Sequence, residues 1–207
     1  FNNEHYREAI RLFTRCAKNG NWVAMINLGY LYEYGLGVTR DVDTAIKYYK
    51  MGNTDNNWDT TNDIARLYMN VDPTKVINLY ETCIHQGCAN SMVARARLYE
   101  IGHVVSKCIP EAIRLYTMAV DHGHSRAQFR LSKYYLIGTA VSQNNAESLR
   151  LLRLSVDQND AFAQRHMANR YLNGIMMERD VPKALELYHK SANQGHPLAM
   201  YDLANIY

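Results

Sequence analysis

The sequence predicts an all-α chain: a right-handed superhelical α/α solenoid of about five repeats on a 36-residue period, with one unit shortened by five residues. Three observations predict it. A tyrosine recurs as Tyr32, Tyr68, Tyr99, Tyr135, Tyr171 and Tyr207, at spacings of 36, 31, 36, 36 and 36. A second slot, Ala9, Ala45, Val76, Ala112, Ser148 and Ala184, repeats at the same intervals. Between these patterns, Gly, Asn and Asp fall where helices stop and start. The two series also locate the short interval. The step from Tyr32 to Ala45 exceeds the step from Tyr68 to Val76 by five positions, so the deletion lies in that one connection.

Five units' worth of pairs plus an unpaired helix give an expected eleven helices. The units start near 21, 58, 89, 125 and 161, with a leading helix over 4–19 and a trailing helix over 197–207. In the first helix of a pair, Ala24, Leu28, Leu31 and Tyr32 follow the i, i+4, i+7, i+8 spacing of an apolar stripe. Beside Leu28 the slot holds only small residues, Gly29, Ala65, Ala96, Ser132, Ala168 and Ala204, as close helix approach requires. In the second helix, Ile10, Leu12 and Phe13 recur through Ile113, Leu115 and Tyr116 to Leu185, Leu187 and Tyr188, which reads as core. After it, Gly20, Asn56, Gly87, Gly123, Asn159 and Gly195 suit a left-handed helix end. Before it, Asp41, Asp72, Asn144 and Asp180 suit the N-cap, Cys108 does not, and Pro73, Pro110 and Pro182 fit the first turn. Gly35, Gly102, Gly138 and Gly174 mark the turn between the two helices.

Composition narrows the function class. Among 207 residues, 47% are hydrophobic and 21% charged, ordinary for a folded chain and unlike a disordered one. A net charge of +3 argues against a nucleic-acid coat, whose affinity rests on many Lys/Arg–phosphate contacts. No apolar run reaches the roughly 18 residues that span a bilayer. Residue 1 is Phe and residue 207 stops inside a helical pattern, so the chain is expected to be a piece of a longer protein. A cytoplasmic location is expected, with any targeting segment outside the chain.

The segment AMINLGYLYEYGLGVTRDVDTAIKYYK at 24–50 resembles the Sel1-like repeat, a relative of the tetratricopeptide repeat. Ala24, Leu28, Gly29, Tyr32, Gly35, Gly37, Val38, Asp41, Ala45, Tyr48 and Tyr49 match its pattern in order. Ala163, Ala168, Tyr171, Gly174, Asp180, Ala184 and Tyr188 repeat the match, and a 36-residue unit favours this family over the 34-residue form. Departures cluster in the middle: the short connection after Tyr68, Asn53 and Asn56 for Ala and Gly, and Arg95 in the Leu28 slot. The resemblance implies a non-catalytic adaptor that assembles other proteins.

Catalytic and metal chemistry are not indicated. Cys88 and Cys108 bracket a helix and lie roughly 20 Å apart, too far to share one zinc. Cys83 and Cys16 occupy one core slot two repeats apart, too far for a disulfide, so four reduced cysteines are the expectation and only a Cys83–Cys88 pairing stays within reach. His122 and His124 flank Gly123 in a turn, and no phosphate-binding loop or nucleophile elbow occurs. No cofactor, metal or catalytic residue is assigned.

A partner groove is the candidate site. At the helical repeat of about 3.6 residues per turn, positions 26, 30 and 33 project away from the stripe of Ala24, Leu28, Leu31 and Tyr32. In tetratricopeptide relatives this set lines the concave surface. One slot reads Tyr30, Arg66, Arg97, Lys133, Asn169 and Asn205; the other reads Ile26, Asn62, Val93, Phe129, Arg165 and Tyr201. Arg66, Arg97, Arg130, Lys133 and Arg165 around an apolar Phe129, with Tyr30, therefore describe a basic groove for an acidic peptide segment of a protein partner. Ordinary solvated positions are the competing reading, and Glu33 and Glu100 sit close enough in register to neutralise part of the charge. Two other functions are weighed and set below the scaffold. A helical-repeat RNA binder would need consistently polar base-reading slots. An enzyme like the cysteine-rich Sel1-like relatives linked to β-lactams or peptidoglycan would need paired cysteines, which are missing.

Overall fold

Apolar stripes at helical spacing, punctuated by caps, produce helices throughout. The computed structural model describes residues 3–54 and 57–206; among them there are twelve helices and no strand. The count is twelve rather than eleven because a leading and a trailing helix both stand outside the five pairs. The chain forms two compact units, residues 1–91 and 92–207, with the division inside α6 (Ala89–Ile101).

The first unit contains α1 (Asn3–Lys18), α2 (Trp22–Tyr34), α3 (Val42–Gly52), α4 (Trp58–Val71) and α5 (Thr74–His85). Helices α2 and α4 are tied by an ion pair from Arg66 to Glu33. Against α2 pack α1 and α3, through a core of Ala17, Ala24, Met25 and Leu28 with Ile10, Phe13 and Tyr48. The small slot is needed at Gly29, where an added Cβ would sit 2.8 Å from the ring of Tyr49. In the shortened connection α4 ends at Val71 and α5 begins at Thr74, so Asp72 and Pro73 make the whole turn. Asp72 caps from one residue further out than its counterparts: its carboxylate accepts from the Thr74 N–H at 3.2 Å and the Thr74 hydroxyl at 2.6 Å.

The second unit contains the rest of α6, then α7 (Ile109–Asp121), α8 (Ser125–Ile137), α9 (Asn145–Asp157), α10 (Ala161–Asn173), α11 (Val181–Asn193) and α12 (Pro197–Ile206). Its core joins Phe129, Leu152, Ala163, Met167, Ala168, Leu187, Tyr188 and Leu203. Polar staples repeat with the period: the Gln158 amide donates to Gln128 at 2.9 Å, and Gln194 donates to Gln164 at 2.8 Å. Ser155 and Ser191 donate to the carbonyls of Ser125 and Ala161 at 2.8 and 2.6 Å. Each staple ties the end of one helix to the start of its pair mate, so the pair's register is hydrogen-bonded as well as packed.

Cap chemistry follows the sequence. Asp41, Asn144 and Asp180 accept from the N–H three residues on at 3.1, 3.0 and 3.0 Å, while Cys108 makes no side-chain cap. Gly20, Gly87, Gly123, Asn159 and Gly195 all have positive φ, between 63° and 83°. Asn56 and Tyr207 lie outside the described residues. The core expectation fails at Leu12, which is 51% exposed on α1 although its counterparts Leu115 and Leu151 are 0% exposed. Cys16, placed in a core slot, is likewise exposed, and all four cysteines are free thiols. No helix is long and apolar enough to cross a membrane among the described residues.

Candidate functional site

In the first unit, Arg66 on α4 reaches back to α2. Its Nη1 lies 2.7 Å from Glu33 Oε1, and its Nη2 lies 3.2 Å from Asp63 Oδ1. Glu33 is 4% exposed, not turned to solvent as the angular projection of an isolated helix suggests, because Arg66 and Tyr49 cover it. Burial pushes its carboxyl upward, but hydrogen bonds from Arg66 and Tyr49 and the guanidinium charge outweigh it, and the net shift is downward. The Tyr49 hydroxyl donates to Glu33 at 2.9 Å, and burial with that carboxylate raises its own proton affinity. Tyr30 is 49% exposed and packs on Tyr34, ring centroids 4.6 Å apart, and Trp22 at the start of α2 is 48% exposed.

In the second unit the cations fall into two classes. Arg130 pairs with Glu100 at 3.5 Å, beneath the Tyr116 and Tyr134 hydroxyls, which donate to the same carboxylate at 2.9 Å each. Arg165 on α10 meets Asp202 on α12 at 2.6 and 3.3 Å. Arg97 and Lys133 have no carboxylate partner among the described residues; Arg97 is exposed and Lys133 half-buried. Phe129 does not project as an anchor. It is 3% exposed, its ring against His166 at 4.9 Å and Phe162 at 6.3 Å, with Lys133 Nζ 6.0 Å from its centroid. Alternate helices α8 and α10 approach closely enough to cover the slot that an isolated helix would expose.

Four further side chains shape this region. Arg126 stacks 3.7 Å over Phe162 and pairs with Asp160 at 2.8 Å. His196, 5% exposed, packs edge-on against Phe162 at 4.3 Å and accepts the Ala199 N–H on Nδ1 at 3.3 Å. Arg170 stands where earlier units hold Leu31, Leu67 and Leu98, and is 7% exposed. Its Nη2 donates to Ser148 Oγ at 3.1 Å, and Nη1 has no partner. His124, read as a turn residue, is an N-cap of α8, accepting the Ala127 N–H at 3.4 Å. No group of three or more His, Cys, Asp or Glu side chains that could hold a metal ion occurs among the described residues.

The helix pairs, their caps and their spacing match the Sel1 repeat profile over residues 22–54, 89–124, 125–160 and 161–196. The chain belongs to the Sel1 repeat family. The unmatched stretch between 54 and 89 holds the shortened connection, so the Sel1 profile fails where the period breaks. Among solved structures, a Sel1 repeat protein from Oxalobacter formigenes superposes with a TM-score of 0.79 at 27% identity, over 98% of this chain and 85% of that one. A protective antigen of uropathogenic Escherichia coli, c5321, superposes with a TM-score of 0.72 at 25% identity, over 98% of this chain and 44% of that one. This chain thus spans less than half the length of the antigen. Immunity protein Pa5087 from Pseudomonas aeruginosa shares the fold, with a TM-score of 0.55 at 18% identity, over 89% of this chain and 72% of that one. No curated protein sequence matches the chain.

Proposed function

We propose that this Sel1 repeat chain is a non-catalytic adaptor that takes an acidic segment of a protein partner on the face formed by alternate helices. The observation that carries it is the sorting of cations in the second unit: Arg97 and Lys133 are left without carboxylates, while Arg130 and Arg165 are neutralised by Glu100 and Asp202. Burial lowers the proton affinity of Arg126 first; its partner Asp160 raises it, and the like charges of Arg130 and Arg97 lower it further. An unpaired surface cation adds little to the chain's own stability, since even a paired one contributes only about 0–1 kcal/mol. Its place on a binding face is therefore better supported than a structural role. The first unit, taken by itself, leaves Trp22, Tyr30 and Tyr34 of α2 exposed, residue types enriched at the energetic centres of protein interfaces.

Charge reversal tests the reading. Arg97→Glu with Lys133→Glu should leave the helical circular dichroism unchanged and abolish capture of a labelled Glu-rich peptide. Wild-type binding should weaken as salt rises from 50 to 300 mM, because exposed charge pairs are screened over about 10 Å at 0.1 M. Equal capture by the double variant at the same salt would overturn the proposal.

A further inference from the structure

Where α8 and α10 meet, the second unit brings two half-buried basic side chains to the buried ring of Phe129. His166 lies 4.9 Å from that ring, and Lys133 Nζ lies 6.0 Å from the same centroid. Neither ring nitrogen of His166 has a hydrogen-bond partner among the described residues, and the side chain is half-buried. The groups facing this imidazole are Lys133 from α8, Arg165 and Arg170 from α10, and His196 from the turn before α12. On the acidic side, Asp202 is bound to Arg165, and Asp160 to Arg126. Lys133 and Arg170 have no carboxylate among the described residues. Burial first, then the charges of Lys133, Arg165 and Arg170, hold the imidazole neutral down to about 4.

The geometry points to a carboxylate seat: Lys133 and His166, over Phe129, take the acidic side chain of a protein partner. The inference rests on the acidic-segment reading and names its anchoring point. The donor set supports a carboxylate rather than a phosphate. Arg165 and Arg126, whose planar forks would suit phosphate, are already engaged by Asp202 and Asp160. What stays free is one ammonium and one imidazole, enough for two carboxylate oxygens. An arriving anion also lowers the local positive field, so the neutral imidazole takes up a proton from solvent and gives a second charged donor to the complex. Binding then strengthens as pH falls from 7.5 to 5.5, a range in which glutamate side chains stay ionised.

The test uses a fluorescein-labelled Glu-rich peptide, its Gln counterpart and inorganic phosphate as probes on the full chain. Wild type should bind the Glu peptide and not the Gln peptide. Lys133→Gln and His166→Phe should each weaken binding about tenfold, and His166→Phe should remove the pH dependence. His166→Gln, which keeps a neutral donor, should recover part of the affinity without the pH dependence. Side-chain ¹⁵N resonances should show the His166 titration moving up when peptide saturates. If Lys133→Gln and His166→Phe bind as wild type while Arg97→Glu does not, the seat is wrong and the adaptor reading stands. If wild type fails to bind the Glu peptide, both fall. If millimolar phosphate displaces the peptide and moves the His166 resonance as the peptide does, the carboxylate assignment is overturned.

Discussion

Replacing Arg170 with methionine should stabilise the second unit. The guanidinium is 7% exposed, Nη1 has no partner, and burial alone depresses its proton affinity, with no carboxylate nearby to offset it. A buried donor left unsatisfied costs about 1–3 kcal/mol, and replacing buried charge with apolar groups of similar volume has stabilised other proteins by about 1–4 kcal/mol. The loss on the other side is small. Ser148 Oγ gives up one donor but keeps its own hydrogen bond to the Ser132 carbonyl at 2.8 Å. Methionine approximates arginine in length, so the cavity term of about 24 cal/mol per Å³ stays minor, whereas leucine leaves more void. The net expectation is a gain of about 2 kcal/mol, or a midpoint rise of roughly 4–8 °C. Urea denaturation followed at 222 nm measures the gain, and hydrogen exchange of the α9–α11 amides locates it. Arg170→Met should also raise the His166 titration, since one of the charges depressing it is gone. An unchanged or lower midpoint for both Arg170→Met and Arg170→Leu would refute the argument from an unpaired buried charge.

Gly37→Ala should destabilise the first unit by at least about 1–3 kcal/mol, because φ is 73° and an added Cβ would meet Tyr6 Cβ at 2.5 Å and Tyr6 backbone carbon at 2.8 Å; thermal denaturation gives the comparison. The same turn slot holds Val104 at φ 70° and Met176 at φ 64°, so Val104→Gly should gain roughly 0.5–1 kcal/mol, the relief of left-handed strain less the glycine's chain entropy. Glu33→Gln should cost about 1–2 kcal/mol at pH 7. Since the folded carboxyl lies below its ordinary value, wild type loses this contribution as pH falls through the folded value, and the two chains should converge in stability at low pH.

The repeat was legible because its signals are local and redundant: a tyrosine, a small residue, a left-handed glycine or asparagine and an aspartate cap recur in step. Asp41, Asn144 and Asp180 cap as their positions require, and Asn159 takes the glycine conformation at φ 63°. The short connection was equally plain, since both series shorten by five residues and their short steps overlap only between Tyr68 and Val76. Burial across repeats was not. Phe129 sits on the outward arc of an isolated α8, and only the approach of α10, with Phe162 and His166, closes it. The ion pairs were half visible. Glu33 to Arg66, Arg126 to Asp160 and Arg165 to Asp202 lie 33, 34 and 37 residues apart, close to one period. Scanning for opposite charges about one period apart finds all three, and reading the Leu31 slot through to Arg170 finds the buried arginine.

These internal pairs bear on how selective a partner face would be. Arg66, Arg130 and Arg165 each already hold a carboxylate of their own chain, and Glu33 is further fixed by a buried tyrosine. A partner's glutamate that displaced one of them would leave a desolvated acid behind, which opposes the exchange. Generic acidity therefore meets little reward at those three sites. Lys133 and Arg97 carry no such competitor, and Lys133 lies near the buried Phe129 ring beside an unengaged imidazole. Under the proposed function, an acidic segment would be discriminated by whether it sets a carboxylate against Lys133, not by its total charge. Two peptides of equal net charge, differing only in the spacing of their glutamates, should separate in affinity on wild type and become equivalent on Lys133→Gln. Equal affinities on wild type would place recognition in diffuse charge, and the pairing of the other cations would have no bearing on selectivity.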